Sequence, residues 1–383
     1  MRLRARLGRL RIRARAAEED RSWNAEAGLG GAFLAALLLL APPAAAPAAS
    51  AQASRAAPAS LQTQWTREGL PDHFVYHLAA DPTRPGRLYA YGGLFGGKGR
   101  NTNMNLFRSD DGGQWENISQ GNVGSIFAGG LAVDDSGVVY VSDSHSIHIS
   151  RDGGSAWETV SGPPGDRALA VVPTEPPTLY TVGGLTGFAR STDGGVTWDL
   201  IDRQLLCDAT SLAADAAAPS TVYLAGACGV LRSKWGGTNW SLLLSVSLGS
   251  NAYLIPYIAL NPSDPSVLYV GGYNGYSPDD PAVQGLWRSR DGGVSWDHVN
   301  SEFPIKGLRF DERDPSHQTL LALGDRELFW SADGGATWAS LRGPPASVTV
   351  FPHDFIASGD RVVVATNGDG IWSAPLPPLP PLP

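Results

Sequence analysis

The sequence predicts an all-β fold: a single seven-bladed β-propeller of four-stranded antiparallel blades, the last closed by an N-terminal strand. Three observations predict it. The phrase Ser-x-Asp-Gly-Gly-x-x-Trp recurs with its leading serines at Ser109, Ser150, Ser191, Ser233, Ser289 and Ser331. Short apolar runs precede and follow each copy in one order. Glycine is abundant at 46 residues and charged residues make up only 17% of the chain, which suits short strands and tight turns. A period near forty residues marks a repeat architecture. One such unit cannot cover both its faces, so the units stack into a ring.

The first residues belong to another regime. Residues 1–21 carry eight arginines, and the apolar run 28–41 ends at Pro42 and Pro43. Ala49-Ser50-Ala51 offers a small-x-small cleavage site, so residues 1–51 read as a secretory signal with a long basic region, or else as an uncleaved anchor. Residues 52–61 read as a flexible spacer. With 1–51 removed, 21 basic face 33 acidic residues, a net charge of −12, and Lys98, Lys234 and Lys306 are the remaining lysines. Such a chain is repelled by nucleic acid and by anionic membranes. The expectation is a secreted or extracytoplasmic protein, not inserted in a membrane after processing, and monomeric.

Within 62–374 each unit repeats four strands. The first runs appear in Leu78-Ala-Ala-Asp81, Leu131-Ala-Val-Asp134, Leu212-Ala-Ala-Asp215, Ile258-Ala-Leu-Asn261 and Leu308-Arg-Phe-Asp311. The second follow at Leu88-Tyr89, Val139-Tyr140, Leu179-Tyr180, Val222-Tyr223 and Leu268-Tyr269, with Leu320-Leu321 and Val363-Val364 in the last two units. The third precede the serine, with an apolar residue three positions before it, and the fourth follow the tryptophan. The seventh unit stops at Ala374 without a fourth strand, while Trp65 and its neighbours resemble the run after Trp157. Residues 63–68 are therefore predicted to complete the last blade and hide two strand edges. The tail 375–383 is Pro-rich and favours a stiff, disordered polyproline II end.

The repeated aspartates Asp111, Asp152, Asp193, Asp291 and Asp333 read as structural. An aspartate can accept backbone amides within a turn, and paired glycines take positive φ without steric cost. The arginines before the serines (Arg108, Arg190, Arg232, Arg288) follow the repeat and read as strand surface. His145 and His148 read as surface histidines on opposite faces of a strand. No metal or cofactor motif is present. Cys207 and Cys228 bracket a hairpin whose turn at 215–220 sets them opposite one another, and an exported compartment permits a disulfide there.

The phrase resembles the Asp-box, or BNR, repeat of sialidase-like β-propellers, over about residues 62–374. The departures are Trp235 where the aspartate belongs and a one-residue deletion before Trp115. The family includes sialidases, xyloglucan-degrading glycosidases, sortilin-type receptors and the photosystem II assembly factor, whose single-ring layout is the most similar. The resemblance implies that the repeats lie away from the ligand face. It also implies a cleft between two propellers, with two catalytic aspartates, in the xyloglucanase-like enzymes. This chain has one ring and lacks the arginine-isoleucine-proline element of sialidases.

Binding residues concentrate on loops of a rigid scaffold. Two long loops are expected, one from Gly92 to Asn105 carrying Phe95, Lys98 and Arg100, the other carrying Tyr273, Tyr276, Asp279 and Asp280. Segments between blades add Asp72, His73, Tyr76, Asp166, Arg167, Asp208 and Tyr257. Aromatic rings beside polar groups suit a sugar or a peptide. The leading expectation is a secreted, non-catalytic scaffold that binds a protein or glycan, with no catalytic residue assigned. The alternative is a sialidase-like glycoside hydrolase, for which Asp279 and Asp280 are the candidate carboxylates.

Overall fold

The computed structural model describes residues 59–61, 63–96, 100–119, 128–143, 146–162, 167–183, 187–202, 209–227, 229–245, 257–272, 285–300, 302–345 and 352–379. They form seven sheets, each joining consecutive strands from the centre outward, with an N-terminal strand added at the outer edge of each of the last two. Blade two is representative, with strands Ala128–Val133, Val139–Asp143, Ser146–Ser150 and Glu158–Ser161. Strand direction alternates, so the turns between strands one and two and between three and four share one face, here the turn face. The loops between strands two and three and the links between blades share the other, the connection face.

The last blade closes as expected. Thr66–Gly69 pairs with Ile371–Pro375, with Thr66 opposite Ser373 and Arg67 opposite Trp372. The strand begins three residues later than the predicted 63–68, and just before it the Trp65 indole donates to the Leu341 carbonyl at 3.3 Å. Two expectations at the ends are corrected. Ala59–Ser60 is a strand, paired in parallel with Ala339 and Ser340, and the Leu61 amide donates to the Ser340 carbonyl at 2.9 Å. The end of the supposed spacer thus covers the exposed edge of blade six. The root of the Pro-rich tail is held too: Leu376 is buried, its amide donates to the Asp360 carbonyl, and Arg313 donates to the Pro377 carbonyl at 3.1 Å. The basic and apolar N-terminal segment, residues 1–51, lies outside the described residues.

The repeated phrase builds a turn by local hydrogen bonding. In blade two the Gly154 amide donates to Ser150 Oγ at 2.7 Å, while Asp152 Oδ1 accepts from Ser150 Oγ at 2.9 Å and from the Ala156 amide at 2.8 Å. Blades three, five and six repeat it. The second glycine has a further reason to be glycine. A Cβ on Gly154 would stand 2.3 Å from Ile118 of blade one, and a Cβ on Gly237 would stand 2.2 Å from Phe188 of blade three. Each turn is where one blade presses on the last.

The arginines before the serines are not strand surface, and that expectation is corrected. Arg108 donates to the Gly153 carbonyl of the next blade at 2.7 Å, Arg232 to Gly292 at 2.7 Å and Arg288 to Gly334 at 2.9 Å. Arg190 packs against Gly236 of the following blade. A strand residue pointing sideways in a ring meets a neighbouring blade, so what reads as surface in one unit is interface in the assembly. Buried tyrosines on the second strands add to it. Tyr180 donates to the Pro219 carbonyl at 2.8 Å and Tyr269 to Gly334 at 3.2 Å, and burial pushes both phenols up.

Cys207 and Cys228 lie outside the described residues. Beside them the hairpin pairs Ala214 with Val222, one residue off the expected register, and a bulge between Ala209 and Ser211 then sets Ala209 opposite Gly226.

Candidate functional site

The innermost strands line a central channel of about 580 Å³. Convergence at the axis favours small side chains, and at one level the units place Ala79, Ala132, Ala213 and Ala259. Blade six places Arg309 there instead, its side chain 35% exposed. Arg309 Nε donates to the Phe355 carbonyl at 2.6 Å, and its Nη2 meets Asp354 Oδ1 at 3.0 Å. Asp354 Oδ2 accepts the Leu78 amide at 2.9 Å. Burial alone would lower the Arg309 guanidinium, but Tyr257 and Asp354 outweigh it and hold it raised. One charge pair therefore ties blades six, seven and one around the axis.

The connection face carries the expected ligand residues that can be described. Asp72 sits on the link from the last blade to the first, and His73 opens the first strand of blade one, His73–Ala80. Asp72 is exposed, without an ion pair among the described residues, at φ 62°, and Leu70 before it is at φ 51°. Left-handed backbone is uncommon outside glycine, and two such residues around Pro71 hold a sharp turn. His73 Nδ1 lies 2.8 Å from the Pro71 carbonyl, and its ring meets Phe107 edge-on at 5.4 Å. Tyr76 is half-buried and stacks on Phe74 at 6.4 Å. Tyr257 lines the channel wall in blade five. Arg167 opens blade three, half-buried, with its amide donating to the Val182 carbonyl. Asp72 thus ends the link and His73 and Tyr76 lie on the strand His73–Ala80 that follows it, while Arg167 and Tyr257 stand on other blades.

The long loop expected over Gly92–Asn105 is corrected. Leu88–Gly96 and Arg100–Ser109 form a continuous hairpin, with Phe95 opposite Asn101 and Gly96 opposite Arg100. Glycine and asparagine content suggested a loop, but cross-strand pairing overrides propensity. Lys98, Asp166, Asp208, Tyr273, Tyr276, Asp279, Asp280 and His145 lie outside the described residues.

Sequence reasoning missed three features. Arg67 pairs with Asp369 and lies over the Trp372 ring at 5.0 Å, close to the last-to-first link, where the Gly368 and Gly370 amides both donate to the His73 carbonyl. The Arg309–Asp354 pair was the second, and its signal was an arginine where other units have alanine. The third corrects the reading of His148 as a surface residue: it is buried, with Nε2 3.1 Å from Asp143 Oδ2 and Nδ1 3.0 Å from Thr159 Oγ1. Among the described residues no group of three or more acidic, histidine or cysteine side chains is placed to hold a metal ion. No described helix is long and apolar enough to cross a membrane.

No family model matches the chain. It is similar to xyloglucanase Xgh74A of Acetivibrio thermocellus, 26% identical over 242 residues that cover 51% of this chain and 27% of the relative. It is also similar to a xyloglucanase of Hypocrea jecorina, 25% identical over 307 residues, 72% of this chain and 34% of the relative. The chain thus spans about a quarter to a third of these relatives' length. Among solved structures, the Niastella koreensis GH74 enzyme matches with a TM-score of 0.61 and 18% identity over 81% of this chain and 53% of that one. YCF48 bound to a D1 peptide matches with a TM-score of 0.60 and 15% identity over 85% of this chain and all of that one. At such identities the structural matches speak for the fold. The sequence relatives overturn the expectation of a non-catalytic scaffold, because they are xyloglucanases; a glycoside hydrolase is the better-supported alternative.

Proposed function

We propose that this chain is a glycoside hydrolase-type propeller acting on a neutral β-glucan of the xyloglucan kind, with the polysaccharide laid over the channel mouth on the connection face. The similarity to xyloglucanases over as much as 72% of the chain carries this reading. Glycoside hydrolysis needs two carboxylates in different environments. Asp72 suits one role: it is exposed, bears no ion pair among the described residues and is fixed on a rigid turn. By contrast Asp354 and Asp369, on the same face, are each held by an arginine. Asp279 and Asp280 are the candidates for the second role. Tyr76 and Tyr257 supply rings against which sugar faces can pack. Extracytoplasmic action belongs to the same proposal, since the polysaccharide is met outside the cell.

The test is reducing-end release from xyloglucan and from its oligosaccharides, by wild type and by Asp72→Asn and Asp279→Asn/Asp280→Asn variants. Turnover that falls at least a hundredfold in one variant at unchanged Tm is expected. Absence of turnover in wild type, or turnover indifferent to all three carboxylates, refutes the assignment.

A further inference from the structure

The fourth repeat is the one copy without its aspartate, and the structure shows that its turn does not need it. Ser233 Oγ still accepts the Gly237 amide at 2.9 Å and the Trp235 amide at 3.1 Å, and Gly236 and Gly237 keep φ of 62° and 95°. Where the aspartates of other copies fold back onto the backbone, Trp235 projects outward with 60% of its surface exposed. It is the only exposed tryptophan, tyrosine or phenylalanine among the described residues.

Its surroundings repeat the departure. Val196 in blade three and Val294 in blade five, the latter 80% exposed, occupy the corresponding turns. Leu200 and Leu242, two residues past the repeat tryptophans Trp198 and Trp240, are exposed on the outer strands of blades three and four. In blade two the position equivalent to Leu200 and Leu242 is Thr159. Exposed apolar side chains thus occur on three neighbouring blades toward the turn face, with the indole in the middle blade, Thr238 and Asn239 exposed beside it, and the charged Lys234, Asp199, Arg290, Asp291 and Asp297 exposed among them.

We infer that this part of the turn face is a second binding surface for a neutral, extended polysaccharide, remote from the channel mouth, with Trp235 as the stacking platform. The inference rests on the polysaccharide reading above for its ligand class and adds a site to it. The chemistry selects that class. An indole face packs against the C–H face of a pyranose, and neutral hydroxyls find partners in the Thr238 hydroxyl, the Asn239 amide and the Lys234 ammonium, which stays solvated at the edge of the platform. Single apolar side chains strung over three blades suit a long, narrow chain; a protein partner calls for a compact, fully buried apolar centre.

Affinity gel electrophoresis with soluble xyloglucan in the gel, alongside turnover of xyloglucan oligosaccharides, tests this. Trp235→Asp restores the phrase of the other repeats, so it preserves the turn, and Trp235→Ala serves beside it. Both should weaken polymer retention about tenfold, the scale of one aromatic stack, and leave oligosaccharide turnover within error, with the Tm of Trp235→Ala unchanged and that of Trp235→Asp no lower than wild type. Retention unchanged in both variants, or a wild type that xyloglucan does not retard, overturns the inference. The two proposals separate cleanly: retention that depends on Trp235 without turnover removes the hydrolase reading and keeps the surface, whereas turnover with retention indifferent to Trp235 does the reverse.

Discussion

The two faces of the ring are built from one chain by opposite rules. On the turn face the same serine, glycines and aspartate recur, and each turn satisfies itself before meeting its neighbour. On the connection face almost nothing recurs. Asp72 stands on a left-handed turn in one link, Arg67 pairs with Asp369 beside it, and Asp143 binds a buried histidine in blade two. Repetition answers a packing problem posed seven times. A binding or catalytic site is needed once, so it resides where the repeat is silent or broken. Trp235 and Arg309 are breaks of this kind.

The sharpest way to break the regular face is at its closest approach. Gly237→Ala puts a methyl group 2.2 Å from the fully buried Phe188, at φ 95°, and that ring is held between Tyr180 and Trp240. A loss of about 3 kcal/mol is expected, read as a lowered urea midpoint at unchanged m-value. A next-smaller effect comes from the axis. Arg309→Leu leaves the half-buried Asp354 with backbone amide donors but no counter-charge and should cost about 2 kcal/mol, with Asp354→Asn in the same chain recovering part of it; additive losses would mean the pair is not coupled.

Acid probes the repeat turns together. Hydroxyl and amide donors of Ser295 hold Asp291 down at about 2, and the same kind of bonding lowers Asp111, Asp152, Asp193 and Asp333. A depressed folded pKa contributes stability that is complete above the unfolded value of about 4 and is lost as pH falls toward 2. Thermal midpoints should therefore be flat through pH 5–7 and fall steeply between about pH 4 and pH 2. Trp235→Asp adds a sixth such group and should steepen that fall. The smallest effect belongs to the irregular face: Asp72→Asn, exposed and without an ion pair among the described residues, should move Tm by less than about 1 °C, the scale of a surface change, while turnover responds. A large loss of stability there would make Asp72 a structural residue.

Legibility in the sequence followed the same division. Seven units, four strands in each, the N-terminal closure and the self-bonded turn could be read because each depends on neighbours within a few positions, repeated until the pattern stood out. The Gly92–Asn105 segment misled because glycine and asparagine mark loops locally, and only pairing of Phe95 with Asn101 makes them a hairpin. The strand at Ala59–Ser60 was invisible because two short residues bear no periodicity of their own.

The sequence by itself determined a ring, its number of blades and how it closes, since a packing unit must be restated each time it is used. Only the tertiary structure decided that the arginines before the serines clasp the following blade, that Asp354 joins Arg309 to the Leu78 amide across the axis, and that Asp369 meets Arg67 beside the first link. Arg309 and Asp354 are 45 positions apart and Leu78 and Asp354 276, and each pairing occurs once, so no spacing along the chain announces it until the ring has brought the partners together.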